Sequence, residues 1–496
     1  MTICLVHVDL KRDCKLYKIR LFVFALISLL SLQSHADEVD EAMSGFDDEP
    51  VTVTQEKSVE DVLLDGFDDI SVTAADDHKS AEDELLDGFE DDASTSSEID
   101  DEPSSFVPGL TGELTQQIAY SLYNEKPHDN ISSFKSSLFL DYEHKFENGF
   151  KFKANAKAYY DAIYDIKGSE KFAQDELDEL RSEVELFDAY IEGKITDNFD
   201  MKLGRQVVVW GRSDTIRVTD VLNPLDKRRP GMVDIEDLRL PVAMAKFDYF
   251  VGDWRVTPIA ILEQRFSKKP PFGSIFYPLP FAAPDDKDYS DVTYALSVGG
   301  EFPGWDVNFY AARIHDDEGH VVLSSQTSIH HDKVNMFGTA LNILSGSWLF
   351  KTELAYFDGL KYTTAPDKSF NRTDLLLGVE YNGIADTLIS YDWVHRSLDD
   401  HDERLLNELN PLNKHSYQHA FRVSSDFMNA SLTANYLLSL NGEKLDEGGF
   451  QRAWVTYELG EGINTNIGVV DYIGGSLVFD EYEDNDMIFA DIAYSF

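Results

Sequence analysis

From Gly211 to Pro241 the chain interleaves five arginines, Arg212, Arg217, Arg228, Arg229 and Arg239, with acids that include Asp214, Asp220, Asp226, Glu236 and Asp237. A guanidinium removed from water needs a carboxylate beside it, so such a stretch folds only where its charges pair. Arg217 with Asp220, and Arg228 or Arg229 with Asp226, are near enough in sequence to pair locally. The chemistry on offer is selection rather than bond breaking, because fixed charges that line a route sort what passes. The same pairs would equally brace a plug that meets no solute, and the residues leave both uses open. Arg205, Gln206, Trp210 and Asn223 complete this candidate constriction. Asn223-Pro224 marks a turn, since the residue before proline is steered out of the helical region.

Two further groups could carry chemistry. Lys135, Lys145, Lys151, Lys153 and Lys157 fall on one face of two neighbouring predicted strands. They could attract anionic solutes or head groups, or keep a wet interior wet with Asp141, Glu143 and Asp161 as counterions. Predicted loops carry His315, Asp316, Asp317 and His320, then His330, His331 and Asp332, then His395, Asp399, Asp400 and His401. These residue types would suit a surface hydrolase, or a solvated loop bridging divalent cations to lipopolysaccharide. His315 and His320 miss the i, i+4 spacing of a helical metal pair, and no nucleotide, zinc-helix or nucleophile-elbow motif occurs. No cofactor, metal ligand or catalytic residue is therefore assigned, and the expectation is a protein that is not an enzyme. A loop over 266–290, rich in proline and aromatics (Phe272, Phe276, Tyr277, Phe281), is either an entry surface for a hydrophobic solute or a cover for the mouth.

The elements that must hold these groups show period-two alternation almost to the end. In 150–162, Phe150, Phe152, Ala154, Ala156, Ala158, Tyr160 and Ala162 face one way, and Lys151, Lys153, Asn155, Lys157, Tyr159 and Asp161 the other. The pattern returns in 134–146, 305–312, 374–381, 387–396, 430–438 and 452–459, as in a sheet with one apolar and one polar face. Tight links alternate with long ones throughout. This predicts an all-β fold, a single antiparallel transmembrane β-barrel of about 18 strands (about 16 to 18), spanning 106–496. The 211–240 loop is expected to fold inward, and 113–124 is either the first strand or a helix or plug. No apolar run in the body approaches the roughly 20 residues of a membrane helix.

Charge is divided unevenly. The chain carries a net −48, and residues 37–105 hold 26 Asp and Glu against two Lys, a net of −24. Without periodicity or many aromatics this stretch reads as a disordered acidic tail. Inside it SGFDDE, LLDGFDDI and LLDGFEDD recur, setting Phe46, Leu64, Phe67, Leu86 and Phe89 beside paired acids. Such phrases serve as docking peptides for a partner or belong to a solvated spacer. Residues 1–36 read as a secretion signal: basic residues, the apolar LFVFALISLLSL, then Ser34-His35-Ala36. Cys4 and Cys14 lie within it, so cleavage there leaves no thiol for disulfides or metal. An acidic chain of this kind is a poor partner for nucleic acid.

The last strand alternates Ile488, Ala490, Ile492, Tyr494 and Phe496 with Phe489, Asp491, Ala493 and Ser495, and resembles the terminal targeting signal of outer-membrane barrels. At GRQVVVWG (204–211), TDVLNPLD (219–226) and EDLRLP (236–241) the chain resembles a Gram-negative outer-membrane barrel family catalogued as a domain of unknown function. The resemblance covers about 106–496 and implies a channel for hydrophobic or lipid-like molecules. It also implies neighbours of the resistance-nodulation-division transporter type with a periplasmic partner, and brings no catalytic residues. The expectation is thus a channel of the Gram-negative outer membrane, in contact with lipid and lipopolysaccharide. Its 211–240 loop gates hydrophobic small-molecule cargo. Both termini are periplasmic, and the tail recruits an inner-membrane or periplasmic partner. A surface hydrolase using loop His and Asp, or a structural or adhesive plugged barrel, are the alternatives.

Overall fold

The computed structural model describes residues 107–122, 126–323, 327–460 and 462–496. The expected signal segment, the acidic tail and its Phe46, Leu64, Phe67, Leu86 and Phe89 lie outside them. The first half of the wall comprises β1 (Leu110–Ser121), β2 (Asn130–Lys145), β3 (Lys151–Asp161), β4 (Ser182–Thr196) and β5 (Phe199–Gln206). It continues with β6 (Val242–Val251), β7 (Trp254–Ile261), β8 (Thr293–Phe302) and β9 (Trp305–His315). A small hairpin, β10 (His320–Val322) and β11 (Ser328–His330), stands in the loop that follows. The second half comprises β12 (Lys333–Ser345), β13 (Trp348–Leu360), β14 (Phe370–Ile384), β15 (Thr387–Asp399) and β16 (His415–Phe427). β17 (Leu432–Asn441), β18 (Gly449–Gly460), β19 (Ile463–Ile473) and β20 (Met487–Ser495) complete it.

Each wall strand pairs antiparallel with the next, and β20 pairs with β1, so 18 strands close one ring. Closure leaves no sheet edge with unpaired main-chain groups. The seam is sealed at Gly112, whose N–H donates to the Phe496 carbonyl and whose carbonyl accepts from Phe496 N–H, both at 2.8 Å. A Cβ on Gly112 would stand 2.5 Å from Phe496 Cζ, so the terminal aromatic needs glycine opposite it. The stretch left open between strand, helix and plug is β1. Tight turns and long loops alternate around the ring, which puts all the tight turns and both ends of the barrel on one side.

Alternation sorts the two faces. Leu114, Ile118, Leu296, Phe309, Phe337 and Leu354 are large, apolar and exposed on the outer face. Towards the tight-turn end the Phe302 ring lies 5.6 Å from Trp254 and 4.4 Å from Trp305, and Trp348 lies 4.5 Å from Tyr381. Aromatic girdles of this kind flank the apolar band of membrane barrels. The other face is itself divided. On β6 to β9 and β12 to β16 it carries buried apolar side chains, among them Met244, Ile259, Ala312, Met336, Leu376 and Val394. On β2 to β5 it carries Lys135, Asp141, Asn155, Lys157, Glu192 and Lys202.

Gly204, in β5, has φ +129°, and a Cβ there would stand 2.2 Å from the Ala189 carbonyl oxygen of β4. Forcing a side chain into such a conformation costs roughly 1–3 kcal/mol before the clash is counted. Gly204→Val is therefore expected to break the β4–β5 pairing. The check is refolding from urea followed by electrophoresis without heating. A compact SDS-resistant band of wild-type yield would show that the strand tolerates the side chain.

A charged segment tied to strands around the ring

Met201, Leu203, Val207 and Val209 alternate with Lys202, Gly204, Gln206 and Trp210, as in a strand running to Trp210, yet β5 stops at Gln206, four residues earlier. The reason is local. Val208 N–H donates to Asn223 Oδ1 at 2.8 Å, and Asn223 Nδ2 donates to the carbonyls of Gln206 at 3.3 Å and Leu240 at 2.9 Å. One buried asparagine thus replaces the ladder bonds and clamps the entry and exit of the 207–241 segment together. Gln206 is fully buried, its Nε2 donating to the Met244 carbonyl at 3.3 Å. Trp210 N–H reaches Asp220 Oδ1 at 3.4 Å while its buried ring stacks on Tyr310, 4.5 Å between centres. Period two persists through VVVW because Val208 and Trp210 are buried while Val209 stays exposed, not because the stretch is strand.

The local charge pairs form. Asp220 Oδ2 lies 3.1 Å from Arg217 Nε and 3.0 Å from Arg239 Nε, and Asp226 Oδ1 accepts from Arg228 Nε at 2.9 Å. Burial pushes the Asp226 carboxyl up, but the Arg228 hydrogen bonds outweigh it and hold the group below its ordinary range. Arg229 turns instead to Asp161 on β3, at 3.2 Å. Arg212 pairs with Asp306 on β9, and Asp214 with Lys351 Nζ on β13 at 3.1 Å. Glu236 lies in a single helical turn, Ile235–Leu238, where Asp237 is exposed.

Arg205 corrects the expectation. It shares the parity of Leu203, on the face opposite Gln206, and its guanidinium pairs with Glu263 at 2.7 and 3.1 Å. It belongs to the rim, outside the charged cluster.

The wall supplies partners that sequence reasoning missed. Glu353 on β13, fully buried, accepts from Arg212 N–H at 2.6 Å, Ser213 N–H at 3.1 Å, Thr219 N–H at 3.0 Å and Thr219 Oγ1 at 2.7 Å. Asp392 on β15 accepts from Ser213 Oγ and Thr215 Oγ1, both at 2.6 Å. Arg228 donates to Glu183 on β4 at 2.7 Å, and Tyr472 on β19 hydroxyl-bonds the Pro230 carbonyl at 2.5 Å. Asp234 joins Arg422 on β16, at 3.4 Å, and Arg452 on β18. The usable signal was a charge at a polar-face position deep in an alternating strand. Its partner could not be read, because the pairs join residues far apart in the chain.

The segment therefore has two halves. Residues 208–222 are held by apolar packing, with Val208, Trp210, Ile216, Val218 and Leu222 buried against β6 to β16. Residues 226–239 are held by charge on β3, β4, β16 and β18.

The other candidates separate. Lys153 pairs with Asp141 at 3.3 Å, Lys145 with Glu143 at 3.5 Å, and Lys151 with Glu192 at 2.7 Å and Glu143 at 3.8 Å. Asp161 goes to Arg229 rather than to a lysine. In the 266–290 loop Phe281 is exposed, but Phe276 is buried against Tyr472 and Tyr482, 5.3 and 5.5 Å away. A loop joining β7 to β8 thus reaches β19, on the far side of the ring, which favours a cover over a free entry surface.

The histidines do not assemble into one site. His315 is held by the His331 carbonyl at 2.5 Å and Asp291 at 3.0 Å. His331 is held by the Asp316 carbonyl at 2.6 Å and Asp286 at 3.2 Å. His320 faces His330 across the small hairpin, and His401 meets the Leu412 carbonyl at 2.7 Å. His395 lies on β15 rather than in a loop, stacked on Tyr417 and His415. Among the described residues no three His, Cys, Asp or Glu side chains converge as a metal would require.

Fold and cluster together define a closed antiparallel barrel with a charge-paired segment anchored at many points of its wall, resembling outer-membrane channels. The chain belongs to the family described as Protein of unknown function (DUF1302), whose model matches residues 122–496. No curated protein matches it. Among solved structures it is similar to OccAB3 of Acinetobacter baumannii, with 12% identity, TM-score 0.46, and 79% of this chain and 100% of that chain covered. OccK1 (OpdK) of Pseudomonas aeruginosa is similar at 10% identity and TM-score 0.46, over 78% and 98%. The outer membrane channel DcaP of Acinetobacter baumannii follows at 10% and 0.40, over 78% and 96%.

Proposed function

We propose that the protein is a channel of the Gram-negative outer membrane for amphipathic or hydrophobic small molecules, with residues 207–241 folded into the lumen. One observation carries this reading. A segment that leaves and rejoins the wall between β5 and β6 is bonded to β3 and β4 on one arc and to β13, β15, β16, β18 and β19 on others. A loop that touches strands on opposite arcs lies across the space they enclose, and this supports an inward-folded segment. The exposed apolar outer face is what a closed barrel presents to lipid, where every main-chain group must be paired within the wall. In this reading the long loops face outward, the tight turns and both barrel ends face the periplasm, and the acidic tail hangs there to recruit a partner.

The alternative of a plugged, purely structural barrel draws on the apolar half of the segment, which is packed like a core. The two readings divide the segment between them: 208–222 braces the wall, and 226–239 narrows what remains. Asp234→Ala removes the carboxylate shared by Arg422 and Arg452 and so releases the constriction from β16 and β18, while Arg228 and Arg229 still hold it to β4 and β3. Single-channel conductance in planar bilayers is expected to rise several-fold over the wild type. If neither the wild type nor a variant lacking 226–239 conducts, the barrel is a plug and the channel reading falls.

A further inference from the structure

Beside the segment, two lysines of the wall rest on aromatic rings. Lys157 on β3 is exposed although it shares a face with Asn155 and Asp161, and its ammonium stands 4.0 Å from the centre of the Phe187 ring and 5.8 Å from that of Phe139. Lys135, on the neighbouring β2, lies 5.6 Å from Tyr159. Among the described residues neither ammonium is in an ion pair, although Lys153 and Lys151 beside them both are. The cross-strand neighbour of Lys157 is Glu185, which is already engaged by Arg265 and Lys268. Asp237, exposed on the segment, is near enough for its charge and that of Lys157 to act on each other.

A cation resting on aromatic faces is stabilised by their quadrupoles but keeps donors free. Its strongest additional partner is an anionic oxygen, because charge-assisted hydrogen bonds are about twice as strong as neutral ones. The rings beside it would meanwhile accept an apolar body. We infer that Lys157 and Lys135, with Phe139, Tyr159 and Phe187, form a binding strip for amphipathic carboxylates, an acid group at one end of an apolar skeleton. This names the cargo class of the proposed channel and rests on that reading for passage, though binding itself does not.

The test uses 4-phenylbutyrate, its neutral amide 4-phenylbutyramide, and the full-length protein in planar bilayers. The acid is expected to block the current at a concentration about tenfold lower than the amide, in line with the added strength of a charge-assisted bond. Lys135→Gln with Lys157→Gln should abolish that difference, Phe187→Ala should weaken both compounds, and Asp237→Asn should strengthen the acid. Equal block by acid and amide in the wild type, or an unchanged difference in the double lysine variant, would overturn the assignment. Calorimetry of 4-phenylbutyrate binding to the detergent-solubilised protein separates the two readings. A barrel that binds the acid through the lysines but does not conduct fails as a channel and keeps its strip. A barrel that conducts and shows no lysine-dependent binding keeps the channel and loses the strip. Retention of the SDS-resistant band checks that each variant is folded.

Discussion

Glu353→Ala is expected to lower the urea midpoint of the barrel markedly while leaving the conductance close to that of the wild type. Glu353 is the single acceptor for three main-chain N–H groups and one hydroxyl of the 212–219 stretch, in a place closed to water. Removing one partner of a buried charged arrangement costs about 3–5 kcal/mol, since what is left behind is a set of unmet polar groups. Yet this half of the segment has a second anchor. Val208, Trp210, Ile216, Val218 and Leu222 each contribute roughly 1.5–3 kcal/mol by burial, together more than the lost carboxylate. The apolar term therefore wins on position and the polar term shows only in stability. Glu353→Gln, which keeps one acceptor oxygen, should fall between. A conductance that jumps in Glu353→Ala as it does in Asp234→Ala would mean that the two halves are not independent, and the division between brace and constriction would have to be dropped.

What the sequence could convey follows from how local each cause is. Strand alternation is a property of adjacent residues, so the all-β wall, its strand number and its tight turns were legible. The short-range pairs Arg217–Asp220 and Arg228–Asp226 were legible for the same reason. The end of β5 was not, because Val208 and Trp210 continue the alternation while their N–H groups have left the ladder for Asn223 and Asp220. Arg205 was misplaced because its charge suggested the cluster, whereas its parity, the same as that of Leu203, set it on the other face. The destinations of Arg229, Asp234 and the 212–219 stretch depend on which strands the ring brings opposite one another, and no local pattern records that. Phe276 is a similar case: a loop phenylalanine reads as exposed until the ring sets Tyr472 and Tyr482 within reach of it.

The loops over the mouth are expected to be tightest at about pH 4 and to loosen as pH rises through about 6. His315 and His331 each place both ring nitrogens against acceptors, a main-chain carbonyl at Nδ1 and a carboxylate at Nε2. The half-buried Asp316 beside them sets the pH dependence. Loss of surrounding water, and then Glu318 and Asp317 against the weaker pull of Arg372, push it up to about 6. A carboxyl whose folded value is raised adds stability at low pH, and that contribution is lost as pH climbs through 6. Asp291 sets the acid limit: the Lys333 contact, and His315 after it, hold it down to about 2, so its contribution is present above the ordinary carboxylate range and lost as pH falls towards 2. Hydrogen exchange at pH 5 and pH 8, corrected for the intrinsic rate, should show protection in 262–292 and 316–332 falling at the higher pH. Asp316→Asn, neutral throughout, should restore part of that protection at pH 8. Equal protection at both pH values in the wild type, or an asparagine variant no more protected at pH 8, would show that apolar contacts such as Phe266 on His331 hold the cover by themselves.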